Sequence, residues 1–249
     1  MKYFKFLIAA LITLVMVSCN FTEQMTMNED GSGRLTVNFD ASELMAMAGD
    51  MGGDEQDEEK EKVDSIIDFK QFIEENKDSI MALPADEQAK IMAMERFKMR
   101  MLIDEAEGIM KFNIFTDFQD VSEANDITSS FDNLDGFMGD GQQANKSGAP
   151  KNEENVKVKY SMEGNTFKRD AYILDAEKYK VQLDSMASME MFLSTSTYKL
   201  EYKFPRKVKS TNRETATLSA DGMTVYYEVN FMEYMKDPDL LDLEVVLED

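Results

Sequence analysis

The chain has 249 residues, with 49 acidic and 27 basic side chains and a formal net charge of −22 at pH 7. A surface this negative is repelled by phosphate backbones and anionic lipid headgroups, so a nucleic-acid partner is not expected. The chain has no histidine and one cysteine. This composition excludes Ser-His-Asp and Cys-His nucleophile systems, imidazole metal sites and a disulfide framework.

The first 18 residues have the features of a bacterial export signal. Lys2 and Lys5 provide a basic start, the run "FLIAALITLVMV" is apolar, and the small Ser18 follows. The apolar run is shorter than the roughly 20 residues that a membrane-spanning helix needs. We therefore predict that residues 1–18 are a signal peptide.

Cys19 comes directly after this segment, at the position that resembles the processing site of a bacterial lipoprotein. Val17 and Ser18 fit that pattern, whereas Met16 stands where Leu or Val is usual. We predict that Cys19 is the lipidated first residue of the mature chain and that its lipid anchors the protein to a membrane of the bacterial cell envelope, facing the periplasm. The alternative is an ordinary secretory signal whose mature chain begins near a cysteine.

Residues 19–249 are predicted to form a single α+β domain with two flexible segments. The segment "GDMGGDEQDEEKEK", residues 49–62, is dense in acidic residues and predicts a solvated insert. The segment "DGFMGDGQQANKSGAPKNEEN", residues 135–155, has the composition of a flexible linker. It lacks the ligand spacing of an EF-hand calcium loop.

The N-terminal half predicts two hairpins separated by helices. A first hairpin contains the turn "NEDGSG", with alternating apolar residues Met25, Met27, Leu35, Val37 and Phe39. An apolar stripe predicts a helix that ends near Pro84, with Ile66, Phe69, Ile73 and Ile80 on one face. A second helix is predicted from Pro84 to about Lys98.

A second hairpin and a short helix are predicted next. Met101 and Ile103 precede the turn "DEAEG", and the returning strand alternates Met110, Phe112, Ile114, Thr116 and Phe118. The short helix is expected from Val121 to about Phe131.

The C-terminal half begins with a strand in which Val158, Tyr160 and Met162 alternate with polar residues. A helix follows from Asp175, a suitable N-cap, to about Met191. The clearest strands come last, and their inward residues are Tyr198, Leu200, Tyr202 and Phe204; then Met223, Val225, Tyr227, Val229 and Phe231; then Leu243, Val245 and Leu247. The polar residues between them, including Lys199, Lys203 and Thr224, are predicted to face water.

The fold class follows from these patterns. Alternation over many segments predicts antiparallel sheets with one wet face. The predicted helices come in groups rather than one per strand, which favours an α+β fold with several helices on one side of the sheets.

The C-terminal block, from Tyr198 to Glu248, resembles the closing segment of LppM-type bacterial lipoproteins. The matching features are Phe204 with Pro205, Val208 with Ser210, and Asp221 with Gly222. The N-terminal lipid cysteine followed by a hairpin is similar too. The resemblance covers about a third of the chain. It implies an envelope-anchored α+β domain, suggests binding of an apolar or lipid ligand, and supplies no binding residues.

No catalytic motif is present. The sequence contains neither a G-x-x-x-x-G-K nor a G-x-G-x-x-G loop. Carboxylate pairs occur at Asp117 and Asp120 and at Asp237, Asp239 and Asp242, and among 49 acidic residues such pairs are expected by chance on a solvated surface. We predict a protein that is not an enzyme and that has no cofactor.

The 21 methionines allow a different hypothesis, since thioethers are ligands for Cu(I). The spacing Met-x-Met recurs at Met25/Met27, Met45/Met47, Met92/Met94, Met99/Met101 and Met189/Met191. In a strand, residues i and i+2 point to the same face, so these pairs are also typical of apolar core rows. We favour core filling, and a methionine-rich copper protein is the remote alternative.

The sequence thus predicts a non-catalytic lipoprotein of the bacterial cell envelope that binds an apolar or lipid ligand or an envelope protein. The alternative is a structural or assembly factor without a small ligand.

Overall fold

The computed structural model describes residues 20–43, 45, 62–125, 127, 155–186 and 190–249. The predicted signal peptide and Cys19 lie outside these residues. So do residues 49–61 and 135–154, which make up nearly all of the two predicted flexible segments.

Twelve strands form two sheets within the described residues. They are β1 Asn20–Met27, β2 Gly33–Asp40, β3 Lys62–Asp68, β4 Lys98–Asp104, β5 Ile109–Phe118, β6 Val156–Glu163, β7 Thr166–Ile173, β8 Thr197–Lys203, β9 Val208–Thr211, β10 Thr217–Leu218, β11 Thr224–Asn230 and β12 Leu243–Leu247.

The larger sheet has eight strands in the order β10-β11-β8-β1-β2-β5-β4-β3, and the smaller has the order β6-β7-β12-β9. Neighbouring strands are antiparallel with one exception. β1 pairs in parallel with β8, with Asn20 opposite Thr197 and Met25 opposite Tyr202. The N-terminal strand therefore lies inside the larger sheet, between β2 and a strand from the far end of the chain.

Short helices connect the strands. They are α1 Phe69–Glu75, α2 Lys77–Met81, α3 Ala85–Ala93, α4 Ala176–Met186, α5 Glu190–Leu193 and α6 Phe231–Lys236, with 3-10 turns at Val121–Ala124 and Pro238–Leu241. The Asp175 side chain accepts hydrogen bonds from the amides of Glu177 and Lys178, which confirms its predicted role as the cap of α4.

The prediction of an α+β fold is wrong. The described chain is mostly β, and its helices are short and spread along the chain rather than grouped against one side of a sheet. The physical reason is that the helices offer too little surface to cover the face of the larger sheet. Helices of 4 to 11 residues cannot cover an eight-stranded sheet, so the inner face of that sheet is covered largely by the second sheet.

The helix predicted through Ile66 is the clearest local error. Residues 62–68 form strand β3, which pairs with β4, and the helix begins only at Phe69. Asp68 caps that helix by accepting from the amides of Lys70 and Gln71. Ile66 shares a helical spacing with Phe69 and Ile73 by coincidence, since its side chain is 62% exposed on the outer face of the edge strand.

The inward faces predicted for β8 and β12 are confirmed, whereas Lys199 and Glu201, which are predicted to face water, are half-buried. All four inward residues of β8 and its end, Tyr198, Leu200, Tyr202 and Phe204, are buried, and Lys203 is exposed. Thr224, which is predicted to face water, is instead buried at the first position of β11, where its amide donates to Ser219 Oγ at 2.9 Å and its carbonyl accepts from the Ser219 amide at 2.9 Å.

The two sheets share one hydrophobic core. The inner faces meet through aromatic contacts, in which the Phe167 ring of β7 lies 5.4 Å from the Tyr202 ring and 5.3 Å from the Phe204 ring. Helix α1 and the turn before β4 add Phe69 and Phe97 to the same core. The interface between the sheets is therefore filled mainly by large side chains.

Candidate functional site

A carboxylate lies in the middle of this apolar interface. On β1, the inward row is Phe21, Glu23, Met25 and Met27, and Glu23 is fully buried. The alternation of the strand places Glu23 in the core, since residues two apart share a face. A buried charge is unfavourable unless it is paired and hydrogen-bonded, so its surroundings must supply partners.

Three tyrosines donate hydrogen bonds to the Glu23 carboxylate. Tyr160 Oη lies 2.6 Å from Oε1, Tyr198 Oη lies 3.0 Å from Oε2, and Tyr202 Oη also donates to Oε1. Tyr198 and Tyr202 come from β8 beside β1, whereas Tyr160 reaches across from β6 of the smaller sheet. The hydroxyl groups of both sheets therefore converge on one carboxylate.

Arg169 of β7 completes the cluster. Its guanidinium donates to Glu23 through Nε at 3.3 Å from Oε1 and through Nη2 at 3.2 Å from Oε2, and both side chains are fully buried. Nη1 donates to the carbonyl of Leu241 at 3.2 Å. We call Glu23, Arg169, Tyr160, Tyr198 and Tyr202 the Glu23 cluster.

The protonation of Glu23 follows from opposing effects. Burial alone would raise the pKa of this carboxyl, but the charge of Arg169 and the hydrogen bonds from Arg169, Tyr160 and Tyr202 outweigh burial and lower the pKa. Glu23 is therefore a carboxylate at neutral pH, and Arg169 is its counter-ion.

The other members of the cluster stay in their usual forms. Burial, followed by the charge of Glu23, raises the pKa of Tyr160, Tyr198 and Tyr202 well above its ordinary value, so all three remain phenols that donate. Burial acts to lower the pKa of Arg169, but the charge of the Glu23 carboxylate outweighs this effect, and the pKa lies well above its ordinary value. The guanidinium therefore keeps its charge.

The cluster is closed to chemistry. Each Glu23 oxygen already accepts at least two hydrogen bonds, and the residues around it are buried. A general base needs a free lone pair within reach of a substrate proton. The arrangement instead joins the two sheets through a fixed set of charged hydrogen bonds, which fixes how they pack.

The predicted site residues lie elsewhere. Cys19 is outside the described residues. Asp117 forms a bidentate pair with Arg34, with Nε 2.6 Å from Oδ1, and Asp120 accepts from the amide of Ser122 at 2.9 Å. Both carboxylates are thus occupied by surface contacts, as their interpretation as solvated surface anticipates.

The remaining predicted carboxylates are also separate. Asp237 and Asp239 are exposed, whereas Asp242 accepts from the amide of Ala171 at 2.7 Å. Partial burial raises the pKa of Asp242. Across the described ranges, no group of three or more Asp, Glu, Cys or His side chains could hold a metal ion.

The methionine pairs divide between core and surface. Met25 and Met27 are both buried in the shared core, which fits core filling. Met94 and Met99 are buried too, whereas Met92 is 48% exposed. Met47 and Met189 lie outside the described residues.

An open cleft of about 600 Å³ lies on the outer face of the larger sheet. It is lined by Lys199, Glu201, Thr215, Thr217, Tyr226, Tyr227 and Glu228. The Lys199 Nζ lies 5.0 Å from the centre of the Tyr226 ring. Each of the lining residues carries a polar group, so the cleft does not have the mainly apolar lining of a typical small-molecule site.

The sequence interpretation missed the Glu23 cluster, although it contained a signal. Strands β1 and β7 each carry one charged residue in an otherwise apolar inward row, Glu23 between Phe21 and Met25, and Arg169 between Phe167 and Ala171. Opposite charges at inward positions of two strands indicate a buried pair.

Comparisons with known proteins give one structural likeness. No family model matches the chain, and no curated protein matches it. Among solved structures, the folded domain of LppM from Mycobacterium tuberculosis, determined by NMR, is similar to this chain at 11% sequence identity with a TM-score of 0.36. The alignment covers 93% of this chain and 91% of that one. The likeness is weak.

Of the helices that the structure describes, none is long and apolar enough to cross a membrane.

Proposed function

We propose that this protein is a non-catalytic lipoprotein of the bacterial cell envelope, anchored through Cys19, whose β-sheet domain binds an apolar or lipid ligand or an envelope protein. The observation that carries the proposal is the position of β1. This strand begins at Asn20, one residue after Cys19, and lies fourth in the order of the larger sheet. A lipid on Cys19 would be joined directly to the sheet, without a linker.

The anchor itself would be strong. A diacylglycerol on the thiol and an acyl chain on the amine exceed the two-signal requirement for stable membrane attachment. The acidic chain contributes little of its own, because its net charge does not favour anionic headgroups.

The filled interface between the sheets bears on the kind of ligand. Tyr160, Phe167 and Arg169 of the smaller sheet occupy the space against β1 and β8. An apolar or lipid ligand would therefore bind on the surface of the domain. The same packing favours the second candidate, a structural or assembly factor without a small ligand.

The anchor is tested by Cys19→Ala. We expect the wild-type chain, expressed in a bacterium, to incorporate labelled palmitate and to partition into detergent, because the thiol is the acylation site. The Cys19→Ala chain should incorporate no palmitate, and Ser18→Ala serves as the control with an intact thiol and a small residue before it. Labelling of Cys19→Ala at the wild-type level would contradict the proposal.

A further inference from the structure

A short stretch of exposed apolar side chains, which we call the patch, lies where β7 ends and the chain turns into α4. Its three consecutive residues are Tyr172, Ile173 and Leu174, with exposed fractions of 42%, 39% and 50%. Val181 of α4 is also exposed, at 61%. The other large apolar side chains that are exposed in the described parts of the chain stand singly in sequence: Ile66, Met81, Met92 and Leu218.

The direction of β7 places the patch at one end of the domain. Phe167 contacts Tyr202, which is level with Met25 of β1, and Arg169 contacts Glu23. From Phe167 to Arg169, β7 thus runs from the level of Met25 toward the level of Glu23. Its continuation to Leu174 runs toward the level at which β1 begins.

A chain of hydrogen bonds also links the start of β1 to the patch, by way of helices α6 and α4. Asn20 is opposite Thr197, and the amide of Phe231 donates to the carbonyl of Ser196 at 2.8 Å. Phe231 begins α6, in which the Met235 carbonyl accepts from Tyr179 Oη of α4 at 2.5 Å. Helices α6 and α4 therefore connect the start of β1 to the patch.

We propose that the patch of Tyr172, Ile173 and Leu174 rests in the headgroup region of the membrane to which the protein is anchored. This inference depends on the proposed anchor at Cys19. Because β1 starts one residue after that anchor, the end of the domain that carries the patch is held at the bilayer surface. Moving apolar side chains from water to this depth is favourable. Exposed apolar residues normally stand singly, so three in a row are unusual.

The chain lacks tryptophan, so a single substituted tryptophan reports its own surroundings. We would reconstitute the full-length lipidated protein into phosphatidylcholine vesicles with brominated acyl chains, which quench indole fluorescence on contact. Leu174→Trp tests the patch. Leu218→Trp is the matched control, since Leu218 is 47% exposed and lies in β10, level with Tyr202 through Val225 and so toward the other end of the sheet.

We expect Leu174→Trp to lose about half of its emission, because interfacial apolar residues lie roughly 5–10 Å into the headgroup and acyl boundary. Leu218→Trp should keep its emission. Tyr172→Trp should respond as Leu174→Trp does, and it preserves the test if Leu174→Trp alters the fold.

The other outcomes separate the two proposals. If the protein floats with the vesicles and neither patch tryptophan is quenched, the patch does not touch lipid and the anchor stands. If the protein does not float, both the anchor and this inference are wrong. If the patch tryptophans are unquenched and their emission instead changes with protein concentration, a second copy of the chain covers the patch, and the lipid contact is overturned.

Discussion

Arg169→Met is expected to cost about 3–5 kcal/mol of unfolding free energy, because removing one partner of a buried ion pair leaves the other charge without compensation. Glu23 would keep its tyrosine donors and lose its counter-ion in a fully buried position. Urea denaturation of the full-length chain, followed by circular dichroism, measures the loss.

A double-mutant cycle assigns the cost to the pair. Glu23→Gln keeps the size of the side chain and removes its charge, so Arg169→Met should be much less damaging in the Glu23→Gln background than in the wild type. Additive costs would show that the guanidinium acts through packing or through its bond to the Leu241 carbonyl instead.

The same pair makes stability depend on pH. The pKa of Glu23 is lowered in the folded state from an ordinary value of 4.5, so the unfolded chain takes up the proton first as the pH falls. The stabilisation from Glu23 is present above about pH 4.5 and is lost as the pH falls below this value through the folded pKa. Unfolding free energies of wild type and Glu23→Gln, measured from pH 7 downward, should converge in this acidic window. Parallel curves would show that Glu23 contributes no such dependence.

Leu200→Ala should cost about 2–5 kcal/mol, the range for truncating a buried leucine. Leu200 is fully buried on β8, opposite Glu23 of β1 and Tyr227 of β11, so neighbouring strands hold the cavity open. Lys203→Ala is the control, because Lys203 lies on the same strand with an exposed side chain, and its loss should stay within about 0.5 kcal/mol. Chemical denaturation compares the two variants. Equal losses of unfolding free energy in the two variants would contradict the assignment of one buried and one solvent-exposed face to β8.

The strands were predictable from sequence where one face is wet. In β8 apolar and polar residues alternate without interruption, and in β12 only Val246 departs from the alternation; in both strands the observed burial has a period of two. The period of two is a direct consequence of strand geometry, so local residues suffice to identify it.

The arrangement of the strands was not predictable in the same way. The parallel pairing of β1 with β8 joins residues from opposite ends of the chain, and no local pattern distinguishes a parallel neighbour from an antiparallel one. The fold class failed for a related reason. Residues 62–68 carry apolar residues at both helical and strand spacing, and pairing with β4 decides between them.

Only part of the Glu23 cluster could be predicted from the sequence. The alternation of the sequence places Tyr160, Tyr198 and Tyr202 on inward faces, but it does not show which groups their hydroxyls contact. Glu23 and Arg169 meet because two sheets stack, and stacking depends on the whole fold. The charges at inward positions were the available local signal.

The parallel pairing of β1 has a consequence for how the chain folds. Gln24 and Glu201, which contact across β1 and β8, are separated by 177 positions in sequence. Contacts of such long range form late and slow the folding of a domain.

Because synthesis begins at the N-terminus, β1 and β2 are made long before β8. During that interval β1 is an edge strand with one unpaired side. An inward-pointing charge is one of the devices that keep such edges from pairing with other chains and aggregating. We expect Glu23 to protect the nascent protein in this way before Arg169 and the tyrosines arrive to enclose it.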